Sequence, residues 1–222
     1  MPALLSLLHP SIRSASPQVS AAPLDLPTLV GAAGWARLPA AVQRRFGIDH
    51  ADTRYVGHMD LRCSRVGRVY TVLAGLFGGP LTRSNESAVA TTVHVSGNSR
   101  GGVVWERRFH GSGGAAERVV RSTKETDADG NLVERTDGGL SMLLDVFEED
   151  GTLVFRSRRF CLVLGRIRLN VPTLLTPGVC RVTHTDVGHN LFRFTLTMVH
   201  PLWGETFRQT GVFVDPHLES NA

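Results

Sequence analysis

The segment from residue 191 to residue 215 constrains the fold most, because it has the pattern of two long antiparallel strands joined by a tight turn. Side chains alternate between the two faces of a strand, so apolar residues at every second position indicate one buried face. Pro201 and Gly204 separate the two arms, and they suit a turn because proline fixes φ and glycine accepts a positive φ. The predicted inner face carries Phe192, Phe194, Leu196, Met198 and His200, followed by Phe207, Gln209, Gly211 and Phe213.

The same pattern of strands and turns recurs through most of the chain. We predict further strands over residues 55–63, 89–95, 103–109, 118–126, 132–135, 140–147, 153–164 and 181–186. Several of them flank turns that contain Asp-Gly or Gly, which is the strongest short-range signal for a hairpin. About eight to ten antiparallel strands predict a mainly β (α+β) fold, a strongly curved sheet or a β-barrel-like domain that removes its own edges.

Two short N-terminal helices accompany these strands in the prediction. The first spans residues 38–46, with Pro39 in its first turn and Gly47 at its end. The second spans residues 66–77, where apolar residues recur at three- and four-residue spacing before a Gly-Gly-Pro stop.

The chain has 222 residues, a length that suits one domain. Residues 1–23 are rich in Ala, Ser and Pro, and we expect them to form a mobile leader. A single β-rich domain is expected over residues 24–215, with a short tail over residues 216–222.

Charge and cysteine content narrow the expected partners and compartment. The formal net charge is +4, and the arginines are scattered along the strands instead of being clustered with aromatic residues. We therefore expect solvated sheet faces and no nucleic-acid partner. Cys63, Cys161 and Cys180 lack metal spacing and sit among apolar residues, which indicates reduced thiols and a cytoplasmic protein. No apolar run reaches the roughly 18 residues that a membrane span needs.

Five segments, in their order along the chain, resemble the bacterial family known as domain of unknown function 4166. They are LPAAVQRRFG (38–47), YVGHMDLRC (55–63), WERRF (105–109), VFRSRRFCLVLGRIRLNVP (154–172) and FRFTLTMVHPLWGETFRQTGVF (192–213). The resemblance covers most of the chain after about residue 36. Family members occur alone and attached to dehydrogenase-like or membrane proteins, so the resemblance implies an accessory binding or tailoring role. It implies no catalytic residues.

Polar residues in phase with apolar ones are the candidate functional residues. Arg107 shares a predicted face with Trp105, and a buried arginine needs a carboxylate, a cluster of carbonyls or an anionic ligand. The opposite face of that strand carries Glu106 and Arg108, which we predict to form outward charge pairs. The predicted ligand-binding residues are Met59, Trp105, Arg107, Phe192, Phe194, Met198, Phe207 and Gln209.

His200 and Glu205 are the candidate catalytic residues. His200 continues an apolar face, and burial would leave a neutral imidazole that can act as a base. In the interpretation that we favour, its ring instead hydrogen-bonds the backbone of the turn at Pro201. We also expect Arg107 and His200 to line one cavity. The sequence has no nucleotide-binding loop, nucleophile elbow or close metal spacing, so we expect no cofactor and no metal.

Three hypotheses of function remain open. The leading one is binding of a hydrophobic small molecule (lipid, isoprenoid or polyketide-like) in an apolar cavity of a β-barrel-like domain. The alternative is a cofactor-independent isomerase or cyclase acting on a polyketide- or terpene-like substrate. The third is a basic protein that meets an acidic partner. A carbon-lined cavity favours the first, converging titratable side chains favour the second, and a flat arginine patch favours the third.

Overall fold

A computed structural model describes residues 23–47, 52–75, 83–111, 116–165 and 167–216 of the chain. Four short α-helices are α1 (Leu26–Val30), α2 (Ala32–Arg37), α3 (Ala40–Phe46) and α4 (Arg65–Gly75). The strands are β1 (Thr53–Cys63), β2 (Glu86–Gly97), β3 (Val103–Phe109), β4 (Arg118–Thr126), β5 (Leu132–Thr136), β6 (Leu140–Glu149), β7 (Thr152–Leu164), β8 (Ile167–Val171), β9 (Val179–Gly188), β10 (Leu191–His200) and β11 (Gly204–Val214). A 3-10 helical turn, Thr173–Leu175, precedes β9.

Ten of these strands form a closed antiparallel barrel. The order of neighbours is β6-β5-β4-β3-β2-β1-β11-β10-β9-β7, and β7 pairs with β6 to complete the ring. Residues 153–156 of β7 pair with β9, whereas residues 160–164 pair with β8, which hangs outside the ring. Closure pairs β6 with β7, and β8 remains as an edge strand outside the ring.

Two glycines provide space for large side chains in the interior of the barrel. In the pairing of β1 with β11, Gly57 lies opposite Phe213 and Gly211 lies opposite Met59. A Cβ atom on Gly57 would lie 2.7 Å from the Phe213 ring, and one on Gly211 would lie 2.6 Å from Met59 Cγ. Small residues beside large ones therefore let Phe213 and Met59 fill the interior.

Helices cover both ends of the barrel. The first three precede the N-terminal end of β1 and bury Leu26, Val42 and Phe46 in the core. Helix α4 follows the C-terminal end of β1 and therefore lies at the opposite end. There Gly67 packs against the Thr206 carbonyl, where a Cβ atom would lie 2.3 Å from the oxygen.

The predicted secondary structure matches most of these elements. The two predicted helices correspond to α3 and α4, and residues 76–77 of the second lie outside the described residues. Helices α1 and α2 and strand β8 were not predicted. The structure of the expected leader is described only at Pro23, and that of the expected tail only at Pro216.

Candidate functional site

The interior of the barrel contains a cluster of polar and charged side chains on β3, β4, β5 and β9. The strand register places Trp105 opposite Ser122 and Lys124 opposite Glu134. Arg107 follows Trp105 on the inner face of β3, and His184 faces inward from β9. We call the set Arg107, Ser122, Lys124, Glu134 and His184 the interior polar cluster.

Glu134 is the acid of this cluster, and both of its carboxylate oxygens have partners. Ser122 Oγ donates to Oε1 over 2.7 Å, and Lys124 Nζ lies 3.2 Å from Oε2. Burial would by itself raise the pKa of Glu134, but Lys124, the Ser122 hydrogen bond and Arg107 together hold that pKa below its ordinary value. Glu134 is therefore ionised and balances the charge of Lys124.

Arg107 is the second cation of the cluster and lacks an equivalent partner. The residue is 8% exposed, its Nε has no hydrogen-bond partner, and no carboxylate pairs with it within 4 Å among the described residues. Burial lowers the pKa of Arg107, whereas the negative charge of Glu134 opposes that shift. Its guanidinium carbon lies 5.8 Å from the centroid of the Phe194 ring, which provides only a weak cation–π contact.

His184 is surrounded by aromatic rings. The rings of Phe46, Trp105, Phe155, Phe192 and Phe194 all lie close to it, with the nearest centroid 4.7 Å away on Phe46. Burial lowers the pKa of His184 far below its ordinary value, and the positive charges of Arg45, Lys124 and Arg107 lower it further. The imidazole is therefore neutral at pH 7, and its Nδ1 has no hydrogen-bond partner in the described part of the chain.

A space of about 40 Å³ remains among these side chains. That volume holds a few water molecules at most and is far below the roughly 300–1,000 Å³ of a typical small-molecule site. The barrel interior is thus nearly filled by its own side chains. Those around the space are Tyr55, Met59, Val93, Trp105, Arg107, Lys124, Glu134, Met142, Cys180, Val182, His184, Phe192, Phe194, Leu196, Met198 and Phe213.

A second space of about 130 Å³, which we call the α4 groove, lies below α4. It is lined almost wholly by carbon, from α4, the 3-10 turn and strands β6, β7 and β8. Met142 and Met198 line both this groove and the interior space. These two side chains form a wall, the methionine partition, between the two spaces, and methionine is an unbranched and adaptable residue.

The interior space brings together six of the eight predicted ligand-binding residues. They are Met59, Trp105, Arg107, Phe192, Phe194 and Met198. Phe207 and Gln209 are buried, as their alternation predicted, but they do not line that space. The outward interpretation of Glu106 and Arg108 is confirmed, since Arg108 Nε donates to Glu106 Oε1 over 2.8 Å at the surface.

His200 does not join Arg107 at the interior space, contrary to the expected common cavity. Its Nδ1 accepts a hydrogen bond from the Leu202 N–H over 3.1 Å, and its Nε2 donates to the Leu174 carbonyl over 3.3 Å. Both ring nitrogens are engaged by backbone, which matches the favoured interpretation of a turn-bracing residue. Glu205 is exposed and lies 3.4 Å from Arg208, away from the interior polar cluster.

Sequence reasoning missed four of the five members of the interior polar cluster, which are Ser122, Lys124, Glu134 and His184. Lys124 and Glu134 lie on β4 and β5, whose many polar residues obscure the alternation that marks an inner face. His184 was detectable, because it follows Cys180 and Val182 at two-residue spacing on β9. A polar residue in phase with an apolar face was the useful signal, as it was for Arg107.

Comparison with known proteins identifies one family. The family model described as Domain of unknown function (DUF4166) matches residues 38–213. No curated protein and no solved structure gives a significant match. Within the described residues, no three His, Cys, Asp or Glu side chains are grouped as a metal site. The helices described here include none long and apolar enough to cross a membrane.

Proposed function

The chain belongs to the DUF4166 family, whose description names no activity, and from the barrel interior we propose that it binds a hydrophobic small molecule. A lipid, isoprenoid or polyketide-like molecule fits this proposal. The observation that carries it is the methionine partition, since Met142 and Met198 separate the interior space from the carbon-lined α4 groove, and movement of these side chains would join the two.

The proposed entry route lies at α4. This helix buries only Gly67 and Thr71, and its apolar Val69, Val72 and Leu73 remain substantially exposed. Its partly buried Tyr70 and Ala74 do pack against the core, but displacing α4 would expose less apolar surface than displacing the buried side chains of α3. Movement of α4 and of the methionine partition would enlarge the α4 groove toward the volume of a small-molecule site.

A second candidate function is a cofactor-independent isomerase or cyclase of a polyketide- or terpene-like substrate. The observation that favours it is His184, a neutral imidazole within a ring of aromatic side chains and with an unpartnered Nδ1. Such a group suits proton transfer to or from an apolar substrate. This candidate places the base at His184 instead of His200, and it requires the same bound molecule as the first.

The third hypothesis, an acidic partner, receives less support. Surface arginines alternate with carboxylates and pair with them, so the positive charge is dispersed. Examples are the pairs Arg37–Glu148, Arg118–Glu86, Arg135–Glu125 and Arg158–Asp145.

Native mass spectrometry of protein purified without detergent tests the proposal directly. We expect a bound species that is lost on solvent extraction and that has the mass of an apolar metabolite. The extracted protein should then bind the neutral apolar dye N-phenyl-1-naphthylamine with a rise in dye fluorescence. Protein that carries no adduct and does not bind the dye would contradict the proposal.

A variant pair locates the dye. Met198→Ile keeps the side-chain volume but removes the flexibility of the methionine partition, so we expect weaker and slower dye binding. Val199→Ile changes the neighbouring exposed residue of β10 and is the matched control. Equal effects of the two substitutions would place the dye outside the barrel. Turnover of a bound substrate that stops in His184→Gln while binding persists would support the isomerase or cyclase instead.

A further inference from the structure

We infer that the bound molecule is an amphipathic acid, with one singly charged oxyanion of the carboxylate kind held by Arg107 and a hydrocarbon tail that crosses the methionine partition into the α4 groove. This inference rests on the proposed function and specifies its ligand. Its three supports are the charge balance of the interior, the unpartnered donors and the position of the partition.

The interior space carries one uncompensated positive charge. Of the two cations that line it, Lys124 is balanced by Glu134, whose oxygens are both occupied. The nearby Arg45 is likewise balanced, since its Nη1 lies 2.9 Å from Asp215 Oδ2. Arg107 alone remains without an anion among the described residues that line the space. A buried charge of this kind is costly unless an opposite charge accompanies it, and a monoanion supplies one.

The unpartnered polar atoms of the interior are suited to an acceptor. Arg107 Nε and Trp105 Nε1 are both buried without a hydrogen-bond partner in the described part of the chain. Both atoms are obligatory donors, and their residues are two positions apart on the inner face of β3. His184 Nδ1 donates as well when that nitrogen carries the ring proton. A carboxylate, which only accepts hydrogen bonds, matches these donors better than an alcohol or amine does.

The position of the methionine partition sets the direction of the tail. Met142 and Met198 lie near the ends of β6 and β10 that are closest to α4. Arg107 lies further inside the barrel, and beyond it Phe46 stacks on Trp105 with their centroids 5.7 Å apart. The tail can therefore extend only toward α4, where the lining is carbon. The head group is consequently deep in the barrel and the tail end near the surface.

Displacement of N-phenyl-1-naphthylamine by matched ligands tests this inference on the full chain. At neutral pH we expect dodecanoic acid to displace the dye at least about tenfold more tightly than 1-dodecanol, the effect of one charge-assisted hydrogen-bonded pair. Dodecyl phosphate, which carries a second charge, should be weaker than the acid. Equal binding of acid and alcohol, or tightest binding of the phosphate, would overturn the inference.

Two variants assign the acid preference to Arg107. Arg107→Met should retain 1-dodecanol binding and lose the preference for the acid. Arg108→Met makes the same charge change on the exposed face of the same strand and should keep the preference. If Arg107→Met fails to fold, Arg107→Gln and the wild-type comparison of acid with alcohol still decide the question.

Failure of the inference is distinguishable from failure of the proposed function. Dye binding with no preference for the acid leaves hydrophobic binding intact and removes only the acidic head group. Absence of dye binding, together with no displacement by any of the three ligands, removes both.

Discussion

The two ends of the barrel are closed in different ways. At the end covered by α1, α2 and α3, Phe46 is 1% exposed and Val42 is fully buried. At the end covered by α4, Val69 is 58% exposed and Leu73 is 50% exposed. The end with α1, α2 and α3 is therefore closed by packing in the core, and we call it the sealed end. The end with α4 is closed by a helix that is largely exposed, and we call it the covered end. This difference is the reason for proposing the entry route at α4.

Hydrogen bonds accentuate the difference between the two ends. At the sealed end, Leu24 N–H donates to the Gly101 carbonyl, and Gln43 Nε2 donates to the carbonyls of Trp35 and Leu38. At the covered end, the Tyr70 hydroxyl donates to the Leu174 carbonyl, in a turn that is itself exposed. Fully burying a large apolar side chain contributes about 1.5–3 kcal/mol, so the sealed end opens only at a much higher cost.

Truncation at the sealed end should give the largest loss of stability. Phe46→Ala removes a ring that packs on Trp105, Phe155 and His184, so we expect about 3–5 kcal/mol of lost unfolding free energy. Urea denaturation measures it. Val69→Ala, on the exposed side of α4, is the control and should cost under about 1 kcal/mol. Similar losses at the two positions would show that the ends are equally closed.

The pH dependence of stability should report the burial of His184 beside the sealed end. The pKa of His184 is depressed in the folded protein, so below the ordinary pKa of about 6.5 only the unfolded chain takes up this proton. Stability should accordingly fall as pH drops below 6.5, by at most about 1.4 kcal/mol per pH unit from this group. Urea titrations at several pH values measure the slope.

His184→Phe should remove that part of the slope, because the variant has no imidazole to protonate. The exposed His58 provides the control substitution, His58→Gln, which removes an imidazole from the surface instead of the interior. A wild-type slope identical to that of His184→Phe would mean that the pKa of His184 is not depressed in the folded protein.

The smallest expected effect is on the attachment of α4. A Cβ atom on Gly67 would lie 2.3 Å from the Thr206 carbonyl, so Gly67→Ala should push α4 outward and cost about 1–2 kcal/mol. Hydrogen exchange should speed up in α4 but not in α3, and dye entry should become faster. Gly75→Ala adds a methyl group where no atom lies within 4 Å and should change neither rate. If hydrogen exchange in the wild-type protein is slower in α4 than in α3, then the end covered by α4 is the more stable one, contrary to our comparison of the two ends.

Alternation predicted the barrel wall well because an inner face leaves a period-two pattern in the sequence. The strands predicted over residues 103–109 and 118–126 have the same bounds in the structure. Strand β8 was missed because it lies outside the ring with four of its five residues exposed, and so it has no buried face to mark it. Helices α1 and α2 have five and six residues, too few for a helical period to be recognised.

The candidate site was predicted in part for the same physical reason. Arg107 and the phenylalanines of β10 were identified from the phase of their neighbours on single strands. The pairing of Lys124 with Glu134 depends on the register between β4 and β5, which no single-strand pattern contains. The separation of His200 from Arg107 likewise depends on how far along the barrel axis each residue lies. Sequence periodicity predicts whether a side chain points into or out of the barrel, but it does not predict the position of that side chain along the barrel axis.

Because β7 pairs with β9 over only part of its length, the ring of strands lacks backbone hydrogen bonds between these two neighbours on the side near α4. Backbone pairing between β7 and β9 ends at Arg156 and Arg181, and farther along β7 the paired neighbour is β8. Where all neighbouring strands are hydrogen-bonded, a ring can widen only by breaking backbone hydrogen bonds. Where β7 and β9 are unpaired, these two strands can separate without breaking any backbone ladder. Near α4 the ring can therefore widen without loss of backbone pairing, whereas at the sealed end it cannot. Just beyond the end of the β7–β9 ladder the two strands are joined by the Cys180 N–H, which donates to Ser157 Oγ over 2.8 Å. If the proposed ligand enters at α4, separation of β7 from β9 at this point would make room for it.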